Sequence, residues 1–226
     1  MRILLKDKNV IAVEKVAGMP SQSDPTGDKD AMSTTSEDLA ALGEKGDLWL
    51  VHRLDRVVGG VLVFARNKQS AAELSSAVAD KTALKEYLAV VEGDAEEGEM
   101  VDLLFKDSKK SKAFVVQRAR AGVKEAKLEY YKVASVDTEK GIRTLVRIKL
   151  HTGRFHQIRA QFSSRAMPIV GDGKYGSHDN KANMPALFAC KMAFKCAGKT
   201  YSPCAIPDVE SYPWNLFSKE IYTELV

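Results

Sequence analysis

Residues 51–65 read VHRLDRVVGGVLVFA and set Asp55 between Arg53 and Arg56, directly ahead of a continuous apolar run. A carboxylate at the mouth of a buried strand can act as nucleophile or general base if an arginine keeps it ionised. An isolated Arg-Leu-Asp-Arg is more often an ion-paired or capping loop, so its surroundings have to decide. A second group lies in residues 143–174, where seven Lys/Arg stand against one acidic residue and the arginines alternate with Phe155, His156, Gln157 and Phe162. Planar guanidinium groups that fork onto phosphates, set beside flat rings, suit RNA better than bulk water. Residues 106–132 hold nine basic and three acidic residues, which fits a solvated lysine-rich hairpin as well as it fits a phosphate-contacting surface.

Other chemistries lose ground. The four histidines, His52, His151, His156 and His178, come without an HExxH pattern or a carboxylate cluster, so no metal site is expected. Cys190, Cys196 and Cys204 are odd in number and lack CxxC spacing, and they read as reduced packing thiols. No Walker motif, no GxGxxG after a strand and no GxSxG occurs, which removes the usual signs of a nucleotide cofactor or a serine hydrolase.

The elements that must position these residues are mostly strands. Residues 3–16 form two strands about a turn, residues 20–36 a loop rich in Ser, Pro, Asp and Gly, and Ser36 caps a short helix. Residues 60–65 make a buried strand, residues 67–81 a helix, and residues 85–92 a further strand followed by an acidic, glycine-bearing turn over 93–100. Strands follow at 112–117, 124–135 and 142–151, the last with Thr144, Val146, Ile148 and Leu150 towards a core and basic residues on the other face. After Gly153 the period changes, and Phe155, Ile158 and Phe162 stripe a short helix. Without βαβ alternation, this predicts an α+β fold: a mixed, mainly antiparallel sheet with flanking helices and a central cleft.

At 226 residues the chain allows one large domain or two close lobes, and one catalytic domain over residues 1–226 is expected. With 45% hydrophobic and 28% charged residues it is globular in composition. No segment approaches the roughly 20 apolar residues of a membrane span, and the charged first residues do not form a signal peptide, so a cytoplasmic monomer is expected. The net charge of +4 is a weak sign of a polyanionic partner.

HRLDRVVGG resembles the catalytic motif of the RluA-type pseudouridine synthases. KEYLAVVEG is similar to the family's Lys-x-Tyr-x-Ala motif, and HTGRFHQIRAQFSSRAMPIVGDGKYG to its Thr-Gly-Arg-x-His-Gln-Ile-Arg motif with the trailing Pro-Ile-x-Gly-Asp-x-x-Tyr-Gly. The start, VIAVEKVAGMP, resembles the family's first strand and Lys-Pro-Ala-Gly turn, so the likeness runs from about Lys6 to Pro207. It implies that Asp55 is the catalytic carboxylate, that Tyr87 stacks on the target uracil, and that Arg159 ion-pairs with Asp55. It implies that Arg53 inserts where the flipped nucleotide leaves the RNA, with Arg56, Arg154, His156 and Gln157 as further RNA contacts. The implied activity is cofactor-free isomerisation of uridines in rRNA or tRNA; whether Asp55 attacks base or sugar, or removes a sugar proton, stays open. A non-catalytic RNA-binding module or RNA-folding chaperone on the same scaffold is the alternative, and an RNA hydrolase or deaminase is disfavoured by the missing zinc ligands. Val58-Gly59 stands where the family has Thr-Ser, Ala166-Met167 where it has Gly-His, and Phe188-Ala189-Cys190 where it has Leu-His-Ala, departures that bear on substrate preference. Strand-like sequence from Ile3 leaves no room for the S4 module that many relatives carry at the N-terminus.

Overall fold

The computed structural model describes residues 1–225. In chain order its elements are β1 (Arg2–Lys6), β2 (Val10–Lys15), α1 (Ala31–Ala41), β3 (Trp49–Leu50), β4 (Gly59–Ala65), α2 (Lys68–Ala79), β5 (Leu84–Glu92), β6 (Gly98–Asp107), β7 (Lys112–Val116), β8 (Val123–Thr138), β9 (Gly141–Leu150), α3 (Gln157–Ser163), β10 (Leu187–Cys196), β11 (Lys199–Tyr201) and α4 (Lys219–Glu224). They fall into two compact units, residues 1–85 with 188–207 and residues 86–187 with 208–225. The fold is α+β, and every strand pair named below is antiparallel except β4 with β10.

In the first unit β1 and β2 form a hairpin whose turn is held by Asp7 Oδ1, which accepts the N–H groups of Asn9 and Val10. β2 pairs with β4 from Val10 opposite Ala65 to Lys15 opposite Gly60, and β10 joins β4 in parallel at Phe188 and Ala189. All seven residues of β4 are buried, as its unbroken apolar run requires. Gly60 meets β10 at very close range: at φ +115, a Cβ there would lie 2.7 Å from Ala189 N and closer still to its carbonyl oxygen. Only glycine fits at that position. Asn67 caps α2 by accepting the Ser70 N–H.

One boundary differs from expectation. Helix α1 begins at Ala31, inside the expected loop, and its N-cap is Asp30, whose Oδ1 accepts the Ser33 N–H at 2.9 Å. Ser36 lies within the helix and donates to the Gly46 carbonyl instead. The sequence AMSTTS is rich in residues that compete with the helical backbone, which made a helical stretch read as loop.

The second unit is a sheet in the order β5-β9-β8-β6-β7. Four strands, β6 here and β3, β10 and β11 in the first unit, were not expected. β6 starts inside the acidic Gly-Glu stretch taken for a turn. Against the sheet lies α3, and Leu104, Ala113, Ala126, Ala160 and Tyr175 form a core cluster with Val115 and Phe155 at its margin. The Tyr175 hydroxyl accepts the Ala113 N–H at 2.8 Å, supplying a partner to β7 beyond the strand ladder. The C-terminal segment is tied down by Tyr212, whose hydroxyl donates to the fully buried Asp179 carboxylate.

Candidate active site

In the first unit the loop carrying Asp55 is fixed from both sides. It leaves β3 at His52, whose Nε2 accepts the Val63 N–H of β4 at 3.0 Å, so the imidazole replaces a strand partner and must be neutral there. Burial, with the nearby Lys85 charge, pulls the His52 pKa down to about 3. One residue before Asp55, the Leu54 backbone is held twice by Ser21, whose hydroxyl donates to the Leu54 carbonyl at 2.9 Å and accepts its N–H at 3.1 Å. One residue after it, the Arg56 carbonyl accepts both the Gly18 N–H at 2.8 Å and the Lys15 ammonium at 3.1 Å. The Val58 N–H closes a turn onto the Asp55 carbonyl at 2.9 Å. The result is a carboxylate on a backbone with little freedom.

Lys15 is the least expected part of this arrangement. Its side chain is fully buried at the end of β2, and its ammonium also donates to the carbonyls of Val16 and Met19. Burial lowers its pKa to about 8, the Asp55 charge opposing that shift and the Arg56 charge adding to it. Near neutral pH it is therefore mostly cationic, and it favours the ionised form of Asp55.

Arg53 is exposed and makes no ion pair among the described residues. Arg56 is otherwise engaged. Its Nε donates to the Gly18 carbonyl at 2.9 Å, one terminal nitrogen reaches Thr26 and Asp24, and the other pairs with Asp28.

In the second unit Tyr87 is a buried residue of β5, opposite Ile148 of β9. The Thr-Gly-Arg turn that enters α3 is built on Gln157. Its side-chain oxygen accepts from Thr152 Oγ1 at 2.7 Å and from the Arg154 N–H at 3.0 Å, while its amide donates to the Lys127 carbonyl. Gln157 is buried, and its hydrogen bonds hold the turn that carries Arg154. The residue between them, His156, has a left-handed backbone, φ 51, and its ring stacks on Phe155 with centroids 3.8 Å apart. Its Nδ1 lies 3.0 Å from the Tyr175 hydroxyl. Burial, with the charges of Arg159, Lys174 and Lys106, depresses the His156 pKa to about 3.

Arg159 is buried on α3, and its guanidinium forks onto Asp172 with Nε to Oδ2 at 2.6 Å and a terminal nitrogen to Oδ1 at 2.7 Å. Its central carbon lies 4.9 Å from the Tyr175 ring centre. A bidentate pair of this kind fixes the plane of the guanidinium. The motifs contained Lys15, Asp172 and Tyr175, with Ser21 just after the first of them, but nothing in their type or spacing marked them, because each acts by holding another residue.

Residues 9–164 match the family model for RNA pseudouridylate synthase. The chain belongs to this family. It is 35% identical over 187 residues to a ribosomal large subunit pseudouridine synthase C of Rickettsia conorii, covering 81% of this chain and 58% of that one. An RNA pseudouridine synthase of Haemophilus influenzae is 31% identical over 160 residues, 71% of this chain and 69% of the relative, and one of Aquifex aeolicus is 31% identical over 182 residues. The chain spans little more than half the length of the Rickettsia and Aquifex relatives, 58% and 56%. Among solved structures, human RNA pseudouridylate synthase domain containing 1 superposes with a TM-score of 0.79 at 17% identity, covering 99% of this chain and 93% of the other. Human RNA pseudouridylate synthase domain containing 4 gives 0.74 at 23% identity, with 92% and 89% covered. These two likenesses establish the fold. No helix is long and apolar enough to cross a membrane, and no group of His, Cys, Asp and Glu among the described residues is placed to hold a metal.

Proposed function

We propose that this chain isomerises uridine to pseudouridine in RNA, with residues 1–226 working as one catalytic domain and Asp55 as the catalytic carboxylate. In this reaction the bond from the sugar C1′ to N1 of the base breaks and a bond from C1′ to C5 forms. N1 gains a proton while C5 loses one to water. No electrons enter or leave, so a redox cofactor has no step to supply. The target base must leave its stack to be rotated; on the family resemblance, Arg53 fills the vacated space and Tyr87 covers the face of the uracil. Arg159, oriented by Asp172, is the cation that keeps Asp55 ionised together with Lys15. Arg56, Arg154 and His156 contact the RNA, and Gln157 contributes through the turn that carries Arg154.

The observation that supports this most is the clamped loop around Asp55: a nucleophile or general base that must meet one atom of a flipped nucleotide gains from a backbone fixed on both sides. Large-subunit ribosomal RNA is the favoured substrate, on the names of the Rickettsia relatives, ahead of tRNA, and a cytoplasmic monomer fits that role. Asp55→Asn is the test. In RNA tritiated at C5 of uridine, the wild type releases tritium to water, and Asp55→Asn is expected to release none while binding RNA nearly as well. Release at the wild-type rate by Asp55→Asn would overturn the assignment and favour another catalytic group or the non-catalytic RNA-binding alternative.

A further inference from the structure

The basic residues of the second unit separate into two classes that the sequence does not distinguish. In residues 143–174, five of the seven basic groups are neutralised: Arg143 by Asp179, Arg147 by Glu86, Lys149 by Glu129, Arg159 by Asp172 and Arg165 by Asp102. On β8, Lys127 and Lys132 are likewise paired, with Glu99 and with Asp94 and Glu96. Residues 106–124 are different. They hold seven basic residues and one acidic residue, and among the described residues none of the seven makes an ion pair.

The fold gathers these charges. The turn 108–111 joins β6 to β7, where Asp107 faces Lys112, and the loop 117–122 crosses β6 from its β7 side to its β8 side, reaching Val123 opposite Phe105. The one carboxylate of the segment, Asp107, accepts the Lys110 backbone N–H and so serves the turn. Rings, not carboxylates, hold the cations in place. Arg120 lies 4.7 Å from the Phe105 ring centre, Lys106 4.7 Å from Phe155, Lys112 5.6 Å from Phe114 and 4.8 Å from Tyr175. A ring orders a cation without cancelling its charge, and a ring face already covered by a cation is not open to stack on a base.

We propose that residues 106–124, at the common end of β6, β7 and β8, form a sequence-independent docking surface for the phosphate backbone of the substrate RNA. The proposal rests on the reading of the chain as an RNA-modifying enzyme and adds where, outside the reacting base, the RNA is held. Covered rings and open charges match phosphates and not base faces, so this surface adds affinity and salt dependence and leaves the choice of uridine to the residues around Asp55.

The test uses the full chain, the variant Lys109→Gln/Lys110→Gln/Arg118→Gln/Arg120→Gln and the control Lys127→Gln/Lys132→Gln, each binding an RNA hairpin of arbitrary sequence across a salt series. The surface variant is expected to give a plot of log affinity against log salt shallower by about two to four, with weaker binding throughout, while the control stays within about one of the wild type. Its kcat on ribosomal RNA at saturation should be unchanged, with only KM raised. Equal slopes for variant and wild type, or an equal loss in the control, would overturn the proposal. So would loss of binding to phosphatidylserine vesicles with the RNA slope intact, which would assign the surface to a membrane. Should the fourfold variant fold poorly, Lys109→Gln/Lys110→Gln alone, in an exposed turn, is expected to lower the slope by about one to two, and no change would count against the idea equally. Failure of the wild type to release tritium, with these binding effects present, would sink the catalytic reading and not this one.

Discussion

At Arg159 the chemistry of one guanidinium serves two demands, because the side chain proposed to keep Asp55 charged is also the counter-charge of a buried acid. Asp172 has about 1% of its side chain exposed and faces Arg159 through two short hydrogen bonds. Arg159→Met would therefore leave a buried carboxylate without its cation, a loss on the order of 3–5 kcal/mol whatever Arg159 does in turnover. Activity of that variant alone cannot separate the two demands. The double variant Arg159→Met/Asp172→Leu removes both charges and is expected to recover most of the stability, since well-packed apolar groups can replace a buried pair at small cost. If Arg159 acts on Asp55, tritium release stays low in the double variant while its urea midpoint returns towards the wild type. Recovery of both together would show that Arg159 serves the scaffold only. Arg56 is a similar case of a residue whose type was legible and whose partner was not: its charge in the free protein is held by Asp24 and Asp28.

At the scale of elements, what positions Asp55 is the junction of β2, β4 and β10, and the two glycines that open β4 are not equivalent. A Cβ on Gly59 would meet its nearest atoms at 3.2 and 3.4 Å, contacts that small shifts relieve, whereas Gly60 sits at φ +115 against the Ala189 backbone. Gly60→Ala is expected to weaken the β4–β10 pairing and to cut both stability and turnover severely, while Gly59→Ala loses little of either. Thermal unfolding and tritium release on both variants check this, and comparable behaviour would mean that the close approach of β10 does not govern the loop. The glycine pair was legible in the sequence as a place for a tight turn or a close approach; which residue approached was not, because β10 lies 127 residues further along and only its second half alternates, Met192, Phe194 and Cys196 buried between Lys191, Ala193 and Lys195. Strands with a clear period or an unbroken apolar run, such as β4, β5 and β9, were legible. β6 was hidden by its acidic, glycine-bearing start and α1 by its serines and threonines. In the site, the residues proposed to face substrate belonged to recognisable motifs, while Lys15, Ser21 and Asp172 act through contacts that only the folded chain creates.

For the molecule as a whole, burial of two histidines makes stability depend on pH above the range where carboxylates titrate. His52 and His156 are both held neutral, each with a pKa of about 3 against an ordinary value near 6.5. Below about pH 6.5 the unfolded chain takes up a proton on each, whereas the folded chain does not until about pH 3. The unfolded state thus binds more protons, so stability is full above about 6.5 and falls as pH drops towards 3, by at most about 1.4 kcal/mol per pH unit for each histidine. Asp179 extends the trend. Burial raises its pKa, but hydrogen bonds from Tyr212, the Lys181 backbone, Arg143 and Lys140 outweigh that and hold it at about 2, so its contribution is present above its ordinary value near 3.8 and lost below it. Urea midpoints measured from about pH 7 to about pH 4 should fall steadily, although most carboxylates are still ionised over the upper part of that range. His52→Gln isolates one histidine, because the Gln oxygen can still accept the Val63 N–H but takes up no proton. It is expected to be destabilised somewhat at pH 7 by imperfect packing, yet to lose about one proton's worth of the acid slope, so that its midpoint approaches that of the wild type as pH falls. A wild-type midpoint flat over that range, or a His52→Gln slope equal to it, would mean that the imidazole is not held neutral against β4 and that the Asp55 loop is anchored elsewhere.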